Sequence, residues 1–334
     1  MPAEWEPHAA TWIAWPHNRS DWPGRFAPIP WVFGEIASKL SRVERARILV
    51  QNRAAEERAR SVLRRVGAQM EALEFFICPT NRVWTRDYCP LFVTHPQGAM
   101  ALTGWGFNGW AKYEDWHRDA AVPAFLAKRL RLPLHKPQMV LEGGSIDVNG
   151  RGILLTTEEC LLSPVQARNP GLSRGGIERK LRQYLGAERT IWLRKGIAGD
   201  DTHGHVDDLA RFVSPDTVVI ASEDDRSDPN YEPLRENLGL LRATGLQVVK
   251  LPMPEPLIFA NRRLPASYAN FYIANRLVLV PTFNDPHDRL ALSILAKLFP
   301  GRTVTGINCT ELIWGLGALH CMTQQQPTAW LKKR

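Results

Sequence analysis

The sequence predicts an α/β fold in which about five strand–strand–helix–strand (ββαβ) units form a pseudo-symmetric, five-bladed propeller. The first observation is that this order of strand-like and helix-like segments recurs along the chain. The second is that the first strands of successive units begin near residues 11, 90, 145, 209 and 270, at spacings of 55 to 79 residues. Repetition at a nearly fixed period indicates copies of one unit that share a continuous core.

Strands of the first two units are read from short apolar runs, and helices from apolar residues three and four positions apart. The first unit is the least regular, with strands at 11–15 and 47–51 around a helix at 31–40. The second unit has strands at 90–94, 99–104 and 138–142, with a helix at 118–130 before the last strand.

The other three units are separated by clearer turn signals. In the third, an Asn149-Gly150 turn joins strands 145–149 and 152–157, and helix 175–185 leads to strand 189–193. In the fourth, a Ser214-Pro-Asp-Thr217 turn joins strands 209–213 and 218–222, followed by helix 230–244 and strand 247–251. The fifth contains strands 270–275, 277–281 and 302–307, with a helix at 286–298.

Five units sharing one core predict a single domain over residues 1–334. Closing them into a ring would also remove the exposed edges of the sheets. Length alone favours about two domains. The alternation of strands and helices also fits two ordinary α/β domains, so the pattern leaves this alternative open.

The composition is that of an ordinary globular protein. Of the 334 residues, 44% are hydrophobic and 23% are charged, which argues against a disordered chain. No apolar run approaches the roughly 20 residues of a membrane-spanning helix, and no signal-peptide pattern is present. Five scattered cysteines, an odd number, favour a reducing compartment over a disulfide framework. We expect a soluble, cytoplasmic protein that does not contact membranes.

Charge is distributed unevenly. The net charge is +8, but the basic residues are dispersed along helical stretches such as 42–65 and 118–136, and no nucleic-acid motif is present. Dispersed basic residues usually form solvated faces, so we expect no nucleic acid as a partner. Acidic residues are instead concentrated between 200 and 232. A basic protein with such local acidic clusters suits a small cationic ligand.

Four segments are more polar than a fold requires. They are Trp84-Thr-Arg-Asp87, Leu141-Glu-Gly-Gly144, Thr202-His-Gly-His-Val-Asp-Asp208 and Gly315-Leu-Gly-Ala-Leu-His-Cys321. The first three directly precede the first strand of a unit, and the fourth follows the last unit. Because equivalent positions of repeated units lie on the same side of a ring, we expect these segments to converge on one central pocket.

Cys321 is the candidate nucleophile. It follows a glycine-rich apolar stretch, where the backbone is able to approach a ligand closely, and it precedes a polar run. A nucleophilic cysteine needs an accessible thiolate and a nearby acid or base. The alternative is a small buried hydrophobic residue. We expect that structural role for the remaining cysteines, which are Cys78, Cys89, Cys160 and Cys309.

His205 and Asp207 are the candidate acid–base pair. They occupy alternate positions of a short stretch that is predicted to be extended, so that both side chains face the same way. A histidine beside a carboxylate is a common acid–base arrangement. Two alternatives stay open: a metal site formed by His203, His205 and Asp207, and a solvated polar turn.

Asp87 and Glu142 are single carboxylates in loops that flank strands. Considered alone, each carboxylate is as expected for a residue that stabilises a turn or caps a helix. Placed in one pocket, two carboxylates suit the bidentate pairing that a planar guanidinium group favours. Trp84 could then stack on a bound cation, or belong to the core.

Eight motifs in a fixed order mark a family resemblance over nearly the whole chain. They are Met1-Pro-Ala-Glu-Trp-Glu-Pro-His8 with Trp15-Pro-His-Asn18, Trp84-Thr-Arg-Asp87, Glu142-Gly-Gly-Ser145, Thr157-Glu-Glu-Cys-Leu-Leu162, Arg168-Asn-Pro170, Gly204-His-Val-Asp207, Asn270-Phe-Tyr-Ile-Ala-Asn275 and His320-Cys-Met-Thr-Gln-Gln-Gln-Pro327. The chain resembles the agmatine deiminase family, which is related to bacterial peptidylarginine deiminases within the guanidino-group-modifying superfamily.

The resemblance implies the five-bladed, pentein-like fold and a role for each candidate residue. Cys321 is expected to be the nucleophile, His205 the acid–base residue and Glu142 its partner. Asp87 and Asp207 are expected to bind the guanidinium group. Trp84 is expected to form a wall of the pocket.

The resemblance also implies the reaction. Agmatine would be hydrolysed to N-carbamoylputrescine and ammonia through a covalent thiouronium on the cysteine, with no metal or organic cofactor. The expected partner is this small cationic guanidine, and assembly into a homo-oligomer stays open. A deiminase of peptidyl-arginine or of another guanidine is the alternative within the class, and a metal-dependent hydrolase is a more remote one.

Three positions depart from the family pattern. Cys89 stands where relatives usually have glycine, which suggests a second thiol near the pocket. Leu316 interrupts the run of glycines before the nucleophile, and Asp208 replaces a common asparagine. None of these changes removes a catalytic group, so they bear on substrate preference more than on activity.

Overall fold

Five small mixed sheets make up the framework of the protein, a computed structural model of which describes residues 1–95 and 98–328. In the first sheet, β1 (His8–Ala14), β2 (Ala46–Val50) and β3 (Leu73–Ile77) pair in parallel. Helix α1 (Ile29–Ser41) connects β1 to β2, and α2 (Arg53–Arg65) connects β2 to β3. The side chain of Asn52 caps α2 by accepting a hydrogen bond from the amide of Ala55.

The second and third sheets share one topology, an antiparallel pair followed by a parallel strand. After the short helix α3 (Thr85–Tyr88), the second sheet contains β4 (Leu91–Thr94), β5 (Met100–Thr103), α4 (His117–Leu130) and β6 (Leu134–His135). The third contains β7 (Asp147–Val148), β8 (Ile153–Thr157), α5 (Glu158–Leu162), α6 (Arg174–Leu185) and β9 (Arg189–Leu193).

The fourth and fifth sheets repeat this topology. The fourth contains β10 (Ala210–Phe212), β11 (Thr217–Ser222), α7 (Tyr231–Arg242) and β12 (Gln247–Pro252), and is followed by the hairpin β13 (Ile258–Phe259) and β14 (Arg262–Arg263). The fifth contains β15 (Tyr272–Ala274), β16 (Leu277–Thr282), α8 (Asp288–Leu298) and β17 (Thr303–Asn308).

A final strand, β18 (Gln324–Pro327), returns to the first sheet and pairs antiparallel with β1. The first unit thereby acquires the same antiparallel-then-parallel order as the others, with one strand supplied by a distant part of the chain. This explains why the N-terminal unit looks irregular in sequence: its missing strand is not adjacent to it.

The sequence located most elements of the five units to within a few residues, but it misplaced one strand. The expected strand at 138–142 is absent; β6 lies earlier, and only Val140 makes an isolated bridge, to Gly106. Pro137 has no amide to donate, and Gln138 adopts a left-handed conformation with φ 52°, so the chain is not extended there. Helix α2, strand β3, the β13–β14 hairpin and strand β18 were not predicted as parts of units.

Apolar strands and one face of each long helix form the core. Val218, Val219 and Ile220 of β11 are fully buried, as continuous apolar strands covered on both faces are expected to be. In α6, Ile177, Leu181 and Leu185 recur at intervals of four and are buried together. Within the described residues, no helix has the length and apolar character required to cross a bilayer.

The pairing of β18 with β1 generates the first prediction. The Gln326 side chain accepts hydrogen bonds from Trp12 Nε1 (3.0 Å) and Arg47 Nη1 (2.6 Å), so Gln326→Ala would leave both donors without this acceptor. We expect the free energy of unfolding, measured by urea titration, to fall by about 1–3 kcal/mol. Gln247, an exposed glutamine of β12, provides a control. Gln247→Ala should change the free energy of unfolding by less than about 0.5 kcal/mol. Equal effects of the two substitutions would contradict this role of Gln326.

Candidate active site

The loops before β4 and β10 and the segment before β18 meet at a cavity of about 320 Å³, and the loop before β7 lies behind its wall, where Gly144 contacts Asp87. Asp87 and Cys321 lie in its wall together with Trp84 and Trp110. Closer to solvent, the lining includes the charged side chains Arg82, Asp201 and Arg262. Trp84 packs against Gly317, where a Cβ atom would lie only 2.7 Å from the indole ring, so this close approach requires glycine.

Asp87 is held at the end of α3 by two hydrogen bonds. Its Oδ1 accepts from the amide of Gly144 (3.0 Å), and its Oδ2 accepts from Trp110 Nε1 (2.9 Å). Burial raises the pKa of Asp87 to about 6; the positive charge of His205 opposes this rise, and Asp207 and Glu142 add to it. Its orientation is therefore fixed before any ligand arrives.

His205 lies among three carboxylates. Its Nδ1 is 3.8 Å from Asp87 Oδ1 and 3.9 Å from Asp207 Oδ1, and its Nε2 is 3.9 Å from Glu142 Oε2. Burial lowers the pKa of His205, but the charge of Asp87 and the neighbouring Cys160 and Glu142 outweigh burial and raise it well above its ordinary value. The imidazole is therefore protonated at neutral pH.

Glu142 is buried against a cation. Arg168 Nε donates to its Oε1 at 3.0 Å, and both side chains are fully buried. Although burial raises the pKa of Glu142, the charge of Arg168 and the nearby His205 lower it to about 2. Glu142 is therefore ionised, with Oε1 held by arginine and Oε2 directed toward His205.

Asp207 and Cys321 lie side by side. Cys321 Sγ is 3.8 Å from Asp207 Oδ2 and 3.1 Å from Asn270 Nδ2. Burial and the negative charges of Asp207, Asp208 and Asp87 raise the pKa of the Cys321 thiol well above its ordinary value. In the free protein the thiol is therefore protonated.

Gly144 lies where these groups meet. A Cβ at this position would lie 2.7 Å from His205 Nδ1, 2.9 Å from Asp87 Oδ1 and 3.0 Å from Asp207 Oδ2. Any side chain here would displace the three functional groups. The glycine therefore sets how closely they approach one another.

Several buried polar atoms of this cluster have no hydrogen-bond partner within the described part of the chain. They are both ring nitrogens of His205, Glu142 Oε2 and Asp207 Oδ1. Buried polar atoms are normally paired, because leaving one unpaired costs about 1–3 kcal/mol. The two carboxylate oxygens among these atoms are free acceptors, and they fit a ligand that brings N–H donors.

Known proteins resemble this chain over nearly its whole length. The sequence model of the Porphyromonas-type peptidyl-arginine deiminase family matches residues 1–327. The agmatine deiminase of Enterococcus faecalis is 32% identical, with a TM-score of 0.91 over 98% of this chain and 96% of that one. The chain belongs to the agmatine deiminase family.

A second agmatine deiminase structure, that of C. jejuni with substrate bound, is 31% identical to this family member. Its TM-score is 0.90, and the match covers 98% of this chain and 95% of that one. The family resemblance predicted from the eight motifs is confirmed, as is the mixed α/β pentein fold.

In this member of the agmatine deiminase family, the six candidate residues lie around one site. Asp87, Trp84 and Cys321 line the cavity, and Glu142, His205 and Asp207 are buried directly beside them. The expectation that His205 and Asp207 lie on an extended stretch is wrong, because 206–208 form a short helical turn. In this turn the two side chains are still close, with His205 Nδ1 3.9 Å from Asp207 Oδ1.

The donor atoms do not form the proposed histidine–histidine–aspartate metal site. His203 Nε2 lies 3.0 Å from Ser163 Oγ, and His203 is outside both groups of described residues whose donor atoms lie close enough for one metal ion. Those groups are Glu142, Cys160 and His205, and Asp207, Asp208 and Cys321. The cation of Arg168 on Glu142 opposes a metal ion at the first group.

The three departures from the family pattern have different outcomes. Cys89 is buried, and it is not among the residues that line the cavity. Leu316 does line it, in a left-handed conformation with φ 68°. Asp208 accepts from Asn270 Nδ2 (2.8 Å), while burial and the charge of Asp207 raise its pKa well above its ordinary value.

Sequence reasoning did not assign a role to several residues that contact the cluster. They are Glu4, Trp110, Cys160, Arg168, Asn270 and His320. All except Trp110 lie within the eight motifs, which was the one available signal. Cys160, expected to be purely structural, places its sulfur within 4.8 Å of donor atoms of Glu142 and His205.

The charges around Cys321 generate a prediction for its reactivity. Asp207 is ionised, because hydrogen bonding to His320 outweighs burial and lowers its pKa, so Asp207→Asn should lower the pKa of the thiol. We expect alkylation of Cys321 by iodoacetamide at pH 8, followed by peptide mass spectrometry, to accelerate about tenfold for each unit by which the pKa falls.

The matched control is Glu44→Gln. Glu44 is a buried carboxylate too, but it pairs with His8 and is not among the charges that raise the pKa of the Cys321 thiol, so its replacement should leave the alkylation rate nearly unchanged. An equal acceleration in both variants would contradict the assigned charge states.

Proposed function

We propose that the protein hydrolyses the guanidinium group of agmatine to N-carbamoylputrescine and ammonia. The observation that carries this proposal is the set of unpaired buried atoms near Cys321, especially Oδ1 of Asp207, the carboxylate whose other oxygen lies 3.8 Å from the thiol. Guanidinium N–H groups would satisfy carboxylate acceptors here, and the cation would offset their charge. The match to two agmatine deiminase structures, one with substrate bound, supports agmatine as the guanidine.

Asp87 and Asp207 bind the guanidinium group in this proposal. The Gly144 and Trp110 hydrogen bonds orient Asp87, and His320 orients Asp207. Keeping the group protonated makes its central carbon electrophilic. Trp84, in the wall of the cavity, covers the planar cation.

Binding of the cation activates the nucleophile. The pKa of Cys321 is raised by burial and by three carboxylates, and a bound guanidinium offsets their negative charge. The thiol then loses its proton more readily. The free enzyme thus holds a protonated thiol, and the thiolate forms where a substrate is present.

The first half of the reaction forms a carbon–sulfur bond. The Cys321 thiolate attacks the central carbon, and the tetrahedral adduct breaks one of its carbon–nitrogen bonds. His205, protonated in the free enzyme, donates its proton to the departing nitrogen, and ammonia leaves. The products are a cationic thiouronium on Cys321 and a neutral imidazole.

The second half releases the product. Neutral His205 takes a proton from water, and the hydroxide attacks the thiouronium carbon. The carbon–sulfur bond then breaks, the O-protonated urea gives its proton to the departing thiolate, and the neutral urea product leaves the regenerated Cys321 thiol. Glu142, held by Arg168, stabilises the imidazolium that forms again.

Deimination of peptidyl-arginine is the second candidate. It is favoured by the match to the peptidyl-arginine deiminase family model and by cations around the cavity mouth. The Arg262 side chain is 46% exposed and pairs with Asp201 at 3.0 Å. An arginine there could bind a substrate carboxylate, which agmatine lacks.

We also propose that the five units form the blades of one closed propeller and that residues 1–334 form one domain. The recurring topology of the sheets and the pairing of β18 with β1 support both proposals. Residues 96–97 and 329–334 of that span lie outside the described residues. The odd number of cysteines supports a cytoplasmic location.

Replacing the nucleophile tests the covalent mechanism. Cys321→Ser should lower ammonia release from agmatine by at least about 10⁴-fold, because a serine hydroxyl is not activated at this site. Cys309→Ala, a change at a buried cysteine outside the cavity, should retain activity. Substantial turnover by Cys321→Ser, or loss of wild-type activity with a chelator, would exclude the proposed mechanism.

A substrate panel tests the choice of guanidine. We expect kcat/KM for agmatine to exceed that for free arginine and for peptides with internal or C-terminal arginine by at least about 100-fold. Ammonia release measures all four reactions. Preference for a peptide would favour the second candidate and replace agmatine as the substrate.

A further inference from the structure

A buried histidine adjacent to the nucleophile connects two carboxylates. His320 Nδ1 lies 2.7 Å from Asp207 Oδ2, and His320 Nε2 lies 2.8 Å from Glu4 Oε2. Glu4 belongs to the segment before β1, and 316 residues separate it from His320. The N-terminal segment therefore reaches the proposed guanidinium-binding site through one side chain.

Both carboxylates in this arrangement are ionised. Burial raises the pKa of Glu4, but Arg211, His320 and Arg86 lower it well below its ordinary value. Asp207 also has a lowered pKa, through its hydrogen bond to His320. Each ring nitrogen of His320 lies within hydrogen-bonding distance of one of these carboxylates, so the imidazole connects Asp207 to Glu4.

Glu4 is itself held rigidly. Its Oε2 accepts from Arg86 (3.1 Å), and its Oε1 accepts from Arg211 (3.0 Å) and from the amide of Ile273 (2.8 Å). Arg86, one of the two arginines that hold Glu4, also contacts the backbone of Cys321. Its amide donates a hydrogen bond to the Cys321 carbonyl (3.1 Å). Because both oxygens of Glu4 are hydrogen-bonded, these contacts hold Glu4 in one arrangement.

The two oxygens of Asp207 have different environments. Oδ2 is bound by His320 and lies 3.8 Å from the Cys321 sulfur, whereas Oδ1 has no partner among the described residues. Fixing one oxygen leaves the other oriented for a ligand. Without the contact to His320, the carboxylate would be able to rotate about its side-chain bonds.

We propose that Glu4 and His320 are positioning residues, which orient Asp207 so that its free oxygen meets the guanidinium group beside the Cys321 thiol. Neither residue touches the substrate. The inference rests on the proposed function, because it assigns the free oxygen of Asp207 to the guanidinium group. It deepens that function by making the N-terminal segment part of the apparatus that binds the cation.

The test uses two alkylating agents that differ in charge. Chloroacetamidine is a small cationic amidine, and chloroacetamide is its neutral analogue; in both, the thiolate displaces chloride. The neutral agent reports access to Cys321, whereas the cationic agent also depends on the orientation of Asp207. The ratio of the two inactivation rates therefore measures the positioning of Asp207, whatever the natural substrate is.

We expect Glu4→Gln and His320→Asn each to lower this ratio at least about tenfold, with little change in the chloroacetamide rate. For the guanidine that the enzyme turns over, kcat/KM should fall by about 100-fold, the effect of a small misplacement of a catalytic group. The double variant should be no worse than the more damaged single variant, because both residues act through one contact.

The matched control is Glu44→Gln. Glu44 is also a buried carboxylate paired with a histidine, His8, at 3.3 Å, and neither of these residues lines the cavity. We expect thermal unfolding to show destabilisation comparable to that of Glu4→Gln, with an unchanged ratio of rates. Should Glu4→Gln fail to fold, His320→Asn carries the test, since it leaves Glu4 bound to both arginines.

The outcomes separate the two proposals. Three results would overturn the positioning role. They are an unchanged ratio of inactivation rates in His320→Asn, additive effects in the double variant, and an equally large fall of the ratio in Glu44→Gln. If the wild-type protein did not hydrolyse agmatine but the ratio fell as expected, the positioning role would stand and the substrate assignment would fail.

Discussion

The structure depends on a concentration of buried charge. Asp87, Glu142 and Asp207 surround His205 at 3.8 to 3.9 Å, and all four side chains are buried. Ions packed this closely attract and repel one another strongly at low dielectric. The surrounding protein must therefore hold each group in place, and most of the other features of the site serve this requirement. Arg168 holds Glu142, Gly144 and Trp110 hold Asp87, and His320 holds Asp207.

These contacts hold the carboxylates in place but do not neutralise all of their negative charge. Arg168 offsets the charge of Glu142, and the cationic His205 is left between two further carboxylates, Asp87 and Asp207, so the cluster retains negative charge next to a protonated thiol. The free site is therefore disfavoured relative to a complex with a planar cation. In the proposed function, the local field of these carboxylates, not the net charge of +8, favours a cationic ligand. The same field keeps the Cys321 thiol protonated in the free protein, so the proposed nucleophile stays inactive until the cation binds.

The sequence predicted much of the fold and the central residues, because both leave local signals. Alternating apolar strands and turn residues locate the units, and reactive side chains before their first strands locate Asp87, Glu142, His205 and Asp207. Strand β18 was missed because its glutamines are polar, and they are buried only through partners such as Trp12 and Arg47. The pairing of Glu4 with His320 was missed for a related reason. It joins residues at opposite ends of the chain, and no local spacing encodes such a contact.

The return of β18 to β1 has a consequence for how the enzyme is made. Cys321 precedes β18 by only three residues, and its neighbour His320 binds Glu4 near the other end of the chain. During synthesis, the N-terminal sheet emerges from the ribosome with one edge of β1 lacking its partner. That edge waits until residues 324–327 have been translated. Strand β18 thus completes the first sheet and brings Cys321, the proposed nucleophile, into place, so that a chain translated only through the first sheet lacks the proposed catalytic centre.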